Sequence, residues 1–264
     1  MPEIRTELRA DKPGLLTIYI DNRKALNALT TQMQIDLIDV LKQAKDDKSV
    51  RVVVIRGAGH KAFSAGGAME SLDSLVNDEE AAAAMYQRGC DIRDTIESMD
   101  KPVIAAVSGY CIGGGFEIAM CCDMIYASDD ARFGLPESNL GLVPGWGGAI
   151  RLPRKVTVNK AKEMILLGEQ MPAEEAYRLC IVNKIFPKED LFEAVDRVVD
   201  RLLERAPLAI RGIKAIVSHA VVDGNIEAAH QVEKNLSVYL MSTEDFREAI
   251  DAFEEKRKPH FQGK

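Results

Sequence analysis

Two glutamates near a glycine run are the residues best suited to acid–base chemistry. Glu117 follows Gly113–Gly115 and lies in the otherwise apolar segment 116–122, while Glu137 comes directly after Pro136. Charged side chains are rarely buried without a partner or a purpose. The neighbours of Glu117 leave it little polar face, which predicts burial for a functional reason. Glu137 considered alone would be interpreted as a surface loop acid. It becomes a candidate functional residue because it is the second acid in the region where the glycine loops converge.

The glycines Gly113–Gly115 admit two interpretations. They could let a helix pack closely against its preceding strand. Alternatively, a helix beginning here would direct the N–H of Gly114 at a ligand and favour a developing negative charge. A dinucleotide-binding fingerprint is a third possibility, with Asp129 about where a ribose-binding acid is expected, but the glycine spacing does not match G-x-G-x-x-G.

Short apolar runs predict the strands that position these residues. The β-branched run Val52–Ile55 is typical of a strand buried on both faces, and Val103–Val107 leads directly to the glycines. Further strands are predicted at 3–9, 15–20, 124–127 and 181–186. Helices are predicted from Thr30 or Thr31 for about 15 residues and over 79–99, 159–167, 173–179, 188–205, 207–220, 225–240 and 244–257. Segments 61–72 and 139–148 are predicted to be loops rich in small residues.

Composition excludes several classes of protein. The 264 residues carry a net charge of −7 that is spread along the chain, so no basic stripe favours nucleic acid or an acidic membrane. No run approaches the roughly 18 apolar residues of a membrane helix, and the N-terminal residues lack a signal-peptide core. The five cysteines form no C-x-x-C pair, which predicts reduced thiols. We expect a soluble, cytoplasmic protein.

Other catalytic motifs are missing from the sequence. The four histidines, at 60, 219, 230 and 260, are scattered without the spacing of metal ligands. There is no G-x-S-x-G nucleophile elbow and no phosphate-binding P-loop. We therefore expect neither a metal site nor a serine nucleophile.

Several motifs together strongly resemble the enoyl-CoA hydratase/isomerase (crotonase) family. The resemblance runs over essentially the whole chain. The matching segments are Asn27-Ala28-Leu29, AFSAGGAM at 62–69, KPVIAAVSGYCIGGGFEIAMCCD at 101–123, FGLPE at 133–137, LGLVPGWGG at 140–148 with Arg151-Leu152, and EAIDAFEEKRKPHF at 248–261. Any one alone would be weak, whereas their order and distances are specific.

This resemblance implies an α/β fold, a crotonase-like spiral of β-β-α units over residues 1–195. Residues 196–264 would form a C-terminal helical trimerisation region, giving homotrimers or homohexamers built as dimers of trimers. The implied substrate is an acyl-CoA thioester. Coenzyme A would enter as part of the substrate, and no separate cofactor is expected.

The resemblance also implies roles for individual residues. Gly67 and Gly114 would supply the two backbone N–H donors that hold the thioester carbonyl, and Glu117 and Glu137 would be the catalytic pair of a hydratase. Losing one such donor typically lowers the rate by about 10²–10³. The residues implied to bind CoA or substrate are Lys24, Ala25, Leu26, Ala65, Gly66, Ala68, Met69, Gly113, Pro136, Gly145 and Trp146.

The local sequence suggests how the two glutamates divide the work. Glu117, in the first turn of a helix, would be biased towards the ionised form and suit the base that activates water. Glu137, beside that charge, would be pushed towards the protonated form and suit the acid that supplies the proton at C2. The pair would titrate as a unit.

Three positions depart from the family pattern. Ala68 stands where the family usually has Asp, and Trp146 and Ile150 replace a small residue and Gln. These changes do not alter the predicted reaction, which is hydration of a 2-enoyl-CoA. They leave open which enoyl-CoA is the substrate. Within the family the alternatives are an isomerase, a carnitinyl-CoA dehydratase or a cyclic enoyl-CoA hydratase. An RNA-binding relative would need a basic stripe, and an inactive scaffold would be expected to lack one glutamate or loop glycine.

Overall fold

Consecutive strands in the middle of the chain alternate between two sheets. The computed structural model describes residues 1–73, 75–221 and 224–264. The strands are β1 (Glu3–Leu8), β2 (Leu15–Asp21), β3 (Val52–Gly57), β4 (Ala62–Ser64), β5 (Val103–Val107), β6 (Tyr110–Ile112), β7 (Met124–Ser128), β8 (Arg132–Gly134), β9 (Gln170–Pro172) and β10 (Lys184–Phe186). The larger sheet has the order β1-β2-β3-β5-β7-β10, and the smaller has the order β4-β6-β8-β9.

Helices connect the strand pairs and make up most of the C-terminal part of the chain. They are α1 (Thr31–Asp46), α2 (Met69–Asp73), α3 (Glu79–Glu97), α4 (Gly114–Cys121), α5 (Gly148–Lys155), α6 (Val158–Leu167), α7 (Ala173–Arg178), α8 (Leu191–Leu203), α9 (Pro207–Val221), α10 (Ile226–Leu240) and α11 (Glu244–Glu254). Within the described ranges, no helix combines the length and the apolarity needed to cross a bilayer.

The β-β-α unit repeats along the chain. In each unit the first strand joins the larger sheet and the second joins the smaller one, as in β3 and β4, then β5 and β6, then β7 and β8. Successive units pair in parallel in both sheets, while β1–β2 and β8–β9 are antiparallel. This arrangement confirms the predicted spiral. It also brings the segments after β4, β6 and β8 to one region, because those three strands are neighbours.

Burial explains why the longer elements form where the sequence predicts them. All four side chains of Val52–Ile55 are buried, as a β-branched strand in the middle of a sheet requires. Helix α1 begins one residue after Thr30, whose side-chain oxygen accepts a hydrogen bond from the N–H of Met33. Its apolar stripe, including Leu37 and Leu41, is buried in the core.

The chain folds into two compact units. One comprises Met1–Met99 and Val103–Asp196, and the other comprises Asp100–Pro102 and Arg197–Lys264, so the division falls inside α8. The second unit therefore includes a short segment, Asp100–Pro102, that precedes β5. Its helices α9 to α11 expose large apolar side chains, of which Phe253 is 84% exposed. The trimerisation role of this region stays a prediction.

Two sequence-based assignments were wrong, and one helix was not predicted. The strand predicted over 181–186 is limited to β10, because Ile181 and Val182 donate to the carbonyl of Ala176 and close the end of α7. Segment 61–72 is not only a loop, since it contains β4 and most of α2. The chain after Gly147 forms α5 despite Pro153 inside it, a residue that removes one helical hydrogen bond.

Candidate active site

A cavity of about 310 Å³ lies where the loops after β4, β6 and β8 meet α2 and α3. Most of the residues implied by the sequence resemblance line this cavity. They are Ala65, Gly66, Gly67, Met69, Gly113, Gly114, Glu117, Pro136, Glu137, Gly145 and Trp146. Both glutamates and both predicted oxyanion glycines thus face one space.

Close backbone approach explains the glycines of the β4 and β6 loops. A Cβ atom on Gly66, whose φ is +87°, would lie 2.9 Å from the backbone N of Gly114. A Cβ on Gly115 would lie 2.3 Å from the carbonyl O of Ser64. Side chains at these positions would push the two loops apart. Gly115 therefore permits close packing of α4, but against β4 rather than against its preceding strand, and this packing does not exclude a ligand-facing Gly114.

The backbone N–H groups of Gly67 and Gly114 are free donors at the cavity wall. Gly114 is the first residue of α4, and Gly67 lies between two hydrogen bonds, Leu29 N to Gly66 O at 2.7 Å and Ala68 N to Leu29 O at 3.0 Å. Among the described residues, neither N–H donates to an acceptor. Such donors can stabilise an oxygen that gains negative charge. The backbone role of Ala68 in fixing this loop does not need the usual Asp side chain.

Glu117 is held by backbone donors in a buried environment. Its side chain is 2% exposed, and its Oε1 accepts hydrogen bonds from Trp146 N at 2.8 Å and Gly148 N at 2.7 Å. The pKa of Glu117 is raised to about 7, mainly by burial and in smaller part by the charge of Glu137, while the two backbone donors and the charge of Arg151 oppose the shift. A carboxyl group with this pKa can exchange protons near neutral pH.

Glu137 lies in a short 3-10 turn, Pro136–Leu140, rather than in an irregular loop. Its Oε2 is buried and has no hydrogen-bond partner among the described residues. Burial raises the pKa of Glu137 above its usual range. A buried oxygen without a donor favours the neutral carboxylic acid, because an anion there lacks compensation.

The prediction that helix position alone biases Glu117 towards the ionised form was wrong. The positive end of α4 and two hydrogen bonds act in that direction, but the loss of hydration on burial is larger and raises its pKa. The pKa values of both glutamates are therefore raised, and the two carboxyl groups differ in their hydrogen bonds. Glu117 has two donors on one oxygen, whereas Glu137 has a buried oxygen with none.

Four of the predicted binding residues do not line the cavity. Lys24, Ala25 and Leu26 are exposed, in and after the turn Arg23–Ala25. The carbonyl of Leu26 accepts a hydrogen bond from Ala65 N at 3.0 Å, so this turn lies beside the loop that contains Gly67. Ala68 is buried behind the cavity wall. Contact of these residues with CoA stays a prediction.

Sequence reasoning missed the apolar wall of the cavity. This wall consists of Leu72, Leu75, Ala82, Met85, Tyr86, Ile112, Leu140, Leu142 and Val143. The apolar residues Leu140, Leu142 and Val143 in a predicted loop were an available signal, and in the structure Val143 is 77% exposed. No group of three or more His, Cys, Asp or Glu is placed to hold a metal ion in the described part of the chain.

Comparison with known proteins agrees with this geometry. The family model described as enoyl-CoA hydratase/isomerase matches residues 10–264. A crotonyl-CoA hydratase of Syntrophomonas wolfei is 37% identical over 247 residues, covering 94% of each chain. A carnitinyl-CoA dehydratase of Proteus mirabilis is 35% identical over 256 residues, covering 95% of this chain and 96% of that protein.

A crystal structure of an enoyl-CoA hydratase subunit I from Geobacillus kaustophilus superposes with a TM-score of 0.89 at 37% identity. The match covers 99% of this chain and 98% of that one. The chain belongs to the enoyl-CoA hydratase/isomerase family, an enzyme family whose relatives named here include hydro-lyases.

Proposed function

We propose that this protein is an enoyl-CoA hydratase, which adds water reversibly across the 2,3 double bond of an enoyl-CoA thioester to give a 3-hydroxyacyl-CoA. The observation that carries the proposal is the shared cavity. It combines the buried carboxyl group of Glu117 and the half-buried one of Glu137 with two backbone N–H groups that have no acceptor among the described residues. Hydration needs both sets, because a proton must leave water, another must reach carbon and the thioester oxygen must hold charge between these events.

In the proposed reaction the thioester oxygen accepts hydrogen bonds from Gly67 and Gly114. Glu117 takes a proton from water while the water oxygen bonds to C3 and the double-bond electrons move towards the carbonyl. The resulting enolate then takes a proton at C2 from Glu137. Proton exchange with solvent returns Glu117 to its anion and Glu137 to its acid, so the net change is one water added. Two N–H groups on Oε1 support Glu117 as the base, since they stabilise its anion. The unpaired Oε2 of Glu137 suits a neutral acid.

The polar CoA part would remain outside the apolar cavity. We propose that the reaction uses no metal or redox cofactor, since the two carboxyl groups can perform both proton transfers. We also propose a homotrimer or homohexamer. The support is the exposed apolar surface of the second unit, which includes Ile213, Val217 and Phe253 on α9 and α11. Light scattering of the purified protein tests this assembly, and a monomer would contradict it.

The test of the reaction is to mix the purified protein with crotonyl-CoA and follow the loss of the conjugated-enoyl absorbance. Glu117→Gln and Glu137→Gln should each lower turnover by orders of magnitude while butyryl-CoA, which cannot be hydrated, still binds. Glu233→Gln, at an exposed position in α10, is the matched control and should retain the rate. Absence of turnover with crotonyl-CoA and with longer or cyclic enoyl-CoAs would exclude a hydratase.

Dehydration of a carnitinyl-CoA ester is the second candidate. It is supported by the 35% identity to the Proteus dehydratase and by Tyr86 and Trp146, two aromatic residues in the cavity wall. Aromatic rings bind quaternary ammonium groups. Comparing kcat/KM for carnitinyl-CoA and 3-hydroxybutyryl-CoA distinguishes the two candidates, and a higher value for carnitinyl-CoA would favour the second.

A further inference from the structure

The indole ring of Trp146 is packed against the backbones of two helices. A Cβ on Gly89 of α3 would lie 1.9 Å from Cδ1 and 2.2 Å from Nε1 of this ring. A Cβ on Gly114 of α4 would lie 2.8 Å from its Cζ3. The Trp146 residue is only 5% exposed, yet it lines the cavity. Two glycines thus provide the space that the ring occupies.

Gly89 has no other evident reason to be glycine. It lies in the interior of α3, where glycine costs about 1 kcal/mol relative to alanine. Its φ is not positive, so the conformational freedom of glycine is not required there. The collision that any side chain would make with Trp146 accounts for the residue. Gly89 and Trp146 therefore act as a pair.

The ring of Trp146 stands beside the reacting atoms rather than at a remote part of the cavity. The backbone N–H of Trp146 donates to Oε1 of Glu117, and its six-membered ring lies against Gly114. Glu117 is the proposed base, and Gly114 carries one of the proposed oxyanion donors. In a bound thioester the C2 and C3 atoms must lie between them, next to the indole.

We propose that Trp146, seated against Gly89, is a specificity-determining residue that restricts the site to unbranched acyl groups. This inference rests on the proposed function, which locates C2 and C3. A methyl branch at C3 would occupy the space next to the base that the ring takes. Replacing the indole by a small side chain opens that space, and one methyl group in an apolar pocket changes affinity by about tenfold or more.

The test measures binding of two saturated thioesters, butyryl-CoA and 3-methylbutyryl-CoA, by titration calorimetry. The native protein should bind butyryl-CoA at least about tenfold more tightly than the branched ester. Trp146→Ala should reduce this preference to about threefold or less by gaining affinity for the branched ester. Trp146→Leu, which retains apolar bulk, gives a smaller change in the same direction and serves if the alanine variant does not fold.

Gly89→Ala tests the pairing from the other side. An added Cβ must displace the indole, so butyryl-CoA should bind more weakly although alanine favours a helix. In Gly89→Ala/Trp146→Ala the collision is removed, and binding should match that of Trp146→Ala. A non-additive result of this kind measures the coupling of the pair. A purely structural role for Trp146 would lower both affinities equally and leave the preference unchanged.

An unchanged preference in every folded Trp146 variant, or an unaffected Gly89→Ala protein, would overturn the inference. These measurements need no turnover, so they separate the inference from the proposed function. Native protein that binds both esters with the expected preference but does not hydrate crotonyl-CoA would refute the hydratase proposal alone. Hydration of crotonyl-CoA with no acyl preference would refute the role of Trp146 alone.

Discussion

Glu117→Gln should stabilise the protein above neutral pH while lowering its activity. Burial raises the pKa of Glu117 from its ordinary value of 4.5 to about 7. Each pKa unit corresponds to about 1.4 kcal/mol, so keeping this carboxylate ionised in the folded protein costs about 3 kcal/mol at pH 8. Glutamine carries no charge, and its side-chain oxygen can still accept from Trp146 and Gly148.

The expected gain depends on pH in a defined direction. The folded state binds the Glu117 proton more tightly than the unfolded state, so its contribution to stability is complete below pH 4.5 and is lost as pH rises through about 7. The gain of Glu117→Gln should therefore be close to zero below pH 4, about 1 kcal/mol at pH 5.5 and about 3 kcal/mol at pH 8.

Urea unfolding at these pH values, at one protein concentration, measures the gain. Glu233→Gln, at an exposed position, should change the free energy of unfolding by less than about 0.5 kcal/mol at each pH. A Glu117→Gln protein that is less stable than the native one at pH 8 would refute the reasoning. A gain of equal size at every pH would also refute it, because packing and not charge would then be its cause.

Three further predictions concern activity. The kcat/KM value should fall about tenfold per pH unit below about 7, because Glu117 must be ionised as the base. Arg151→Met should move this midpoint to higher pH, since the charge of Arg151 lowers the pKa of Glu117. Gly66→Ala should lower kcat by about 10²–10³, because the added Cβ displaces the backbone N of Gly114. The control is Gly224→Ala, also at positive φ but in open space, which should retain activity. A pH profile without a midpoint would contradict the first prediction, and an unmoved midpoint in Arg151→Met would contradict the second. A fully active Gly66→Ala protein would contradict the third.

The larger sheet could be predicted from the sequence because each of its central strands has enough residues to show a pattern. Val52–Ile55 and Val103–Val107 are apolar runs, and both are buried strands as predicted. The smaller sheet could not be predicted in the same way. Its strands, such as Ala62–Ser64, have three residues each and are defined by pairing with neighbours distant in sequence.

The site was predictable where its residues belong to compact motifs. Both glutamates and both proposed oxyanion glycines lie in such motifs, and they line one cavity. The part of the apolar wall that lies on α3 was not predictable, because Met85 on a helical stripe resembles any core residue. The pKa of Glu117 could not be predicted from the sequence either, since helix position and burial shift it in opposite directions.

Half of the groups proposed to contact the reacting atoms are main-chain N–H groups, and main-chain N–H groups also anchor Glu117. Both free donors are N–H groups, and both anchors of Glu117 are N–H groups from the loop that also carries Trp146. A side chain in this loop can therefore change without removing any of these hydrogen bonds. For protein engineering, acyl selectivity and catalytic chemistry should be separable here, and position 146 is a natural starting point for a substitution library.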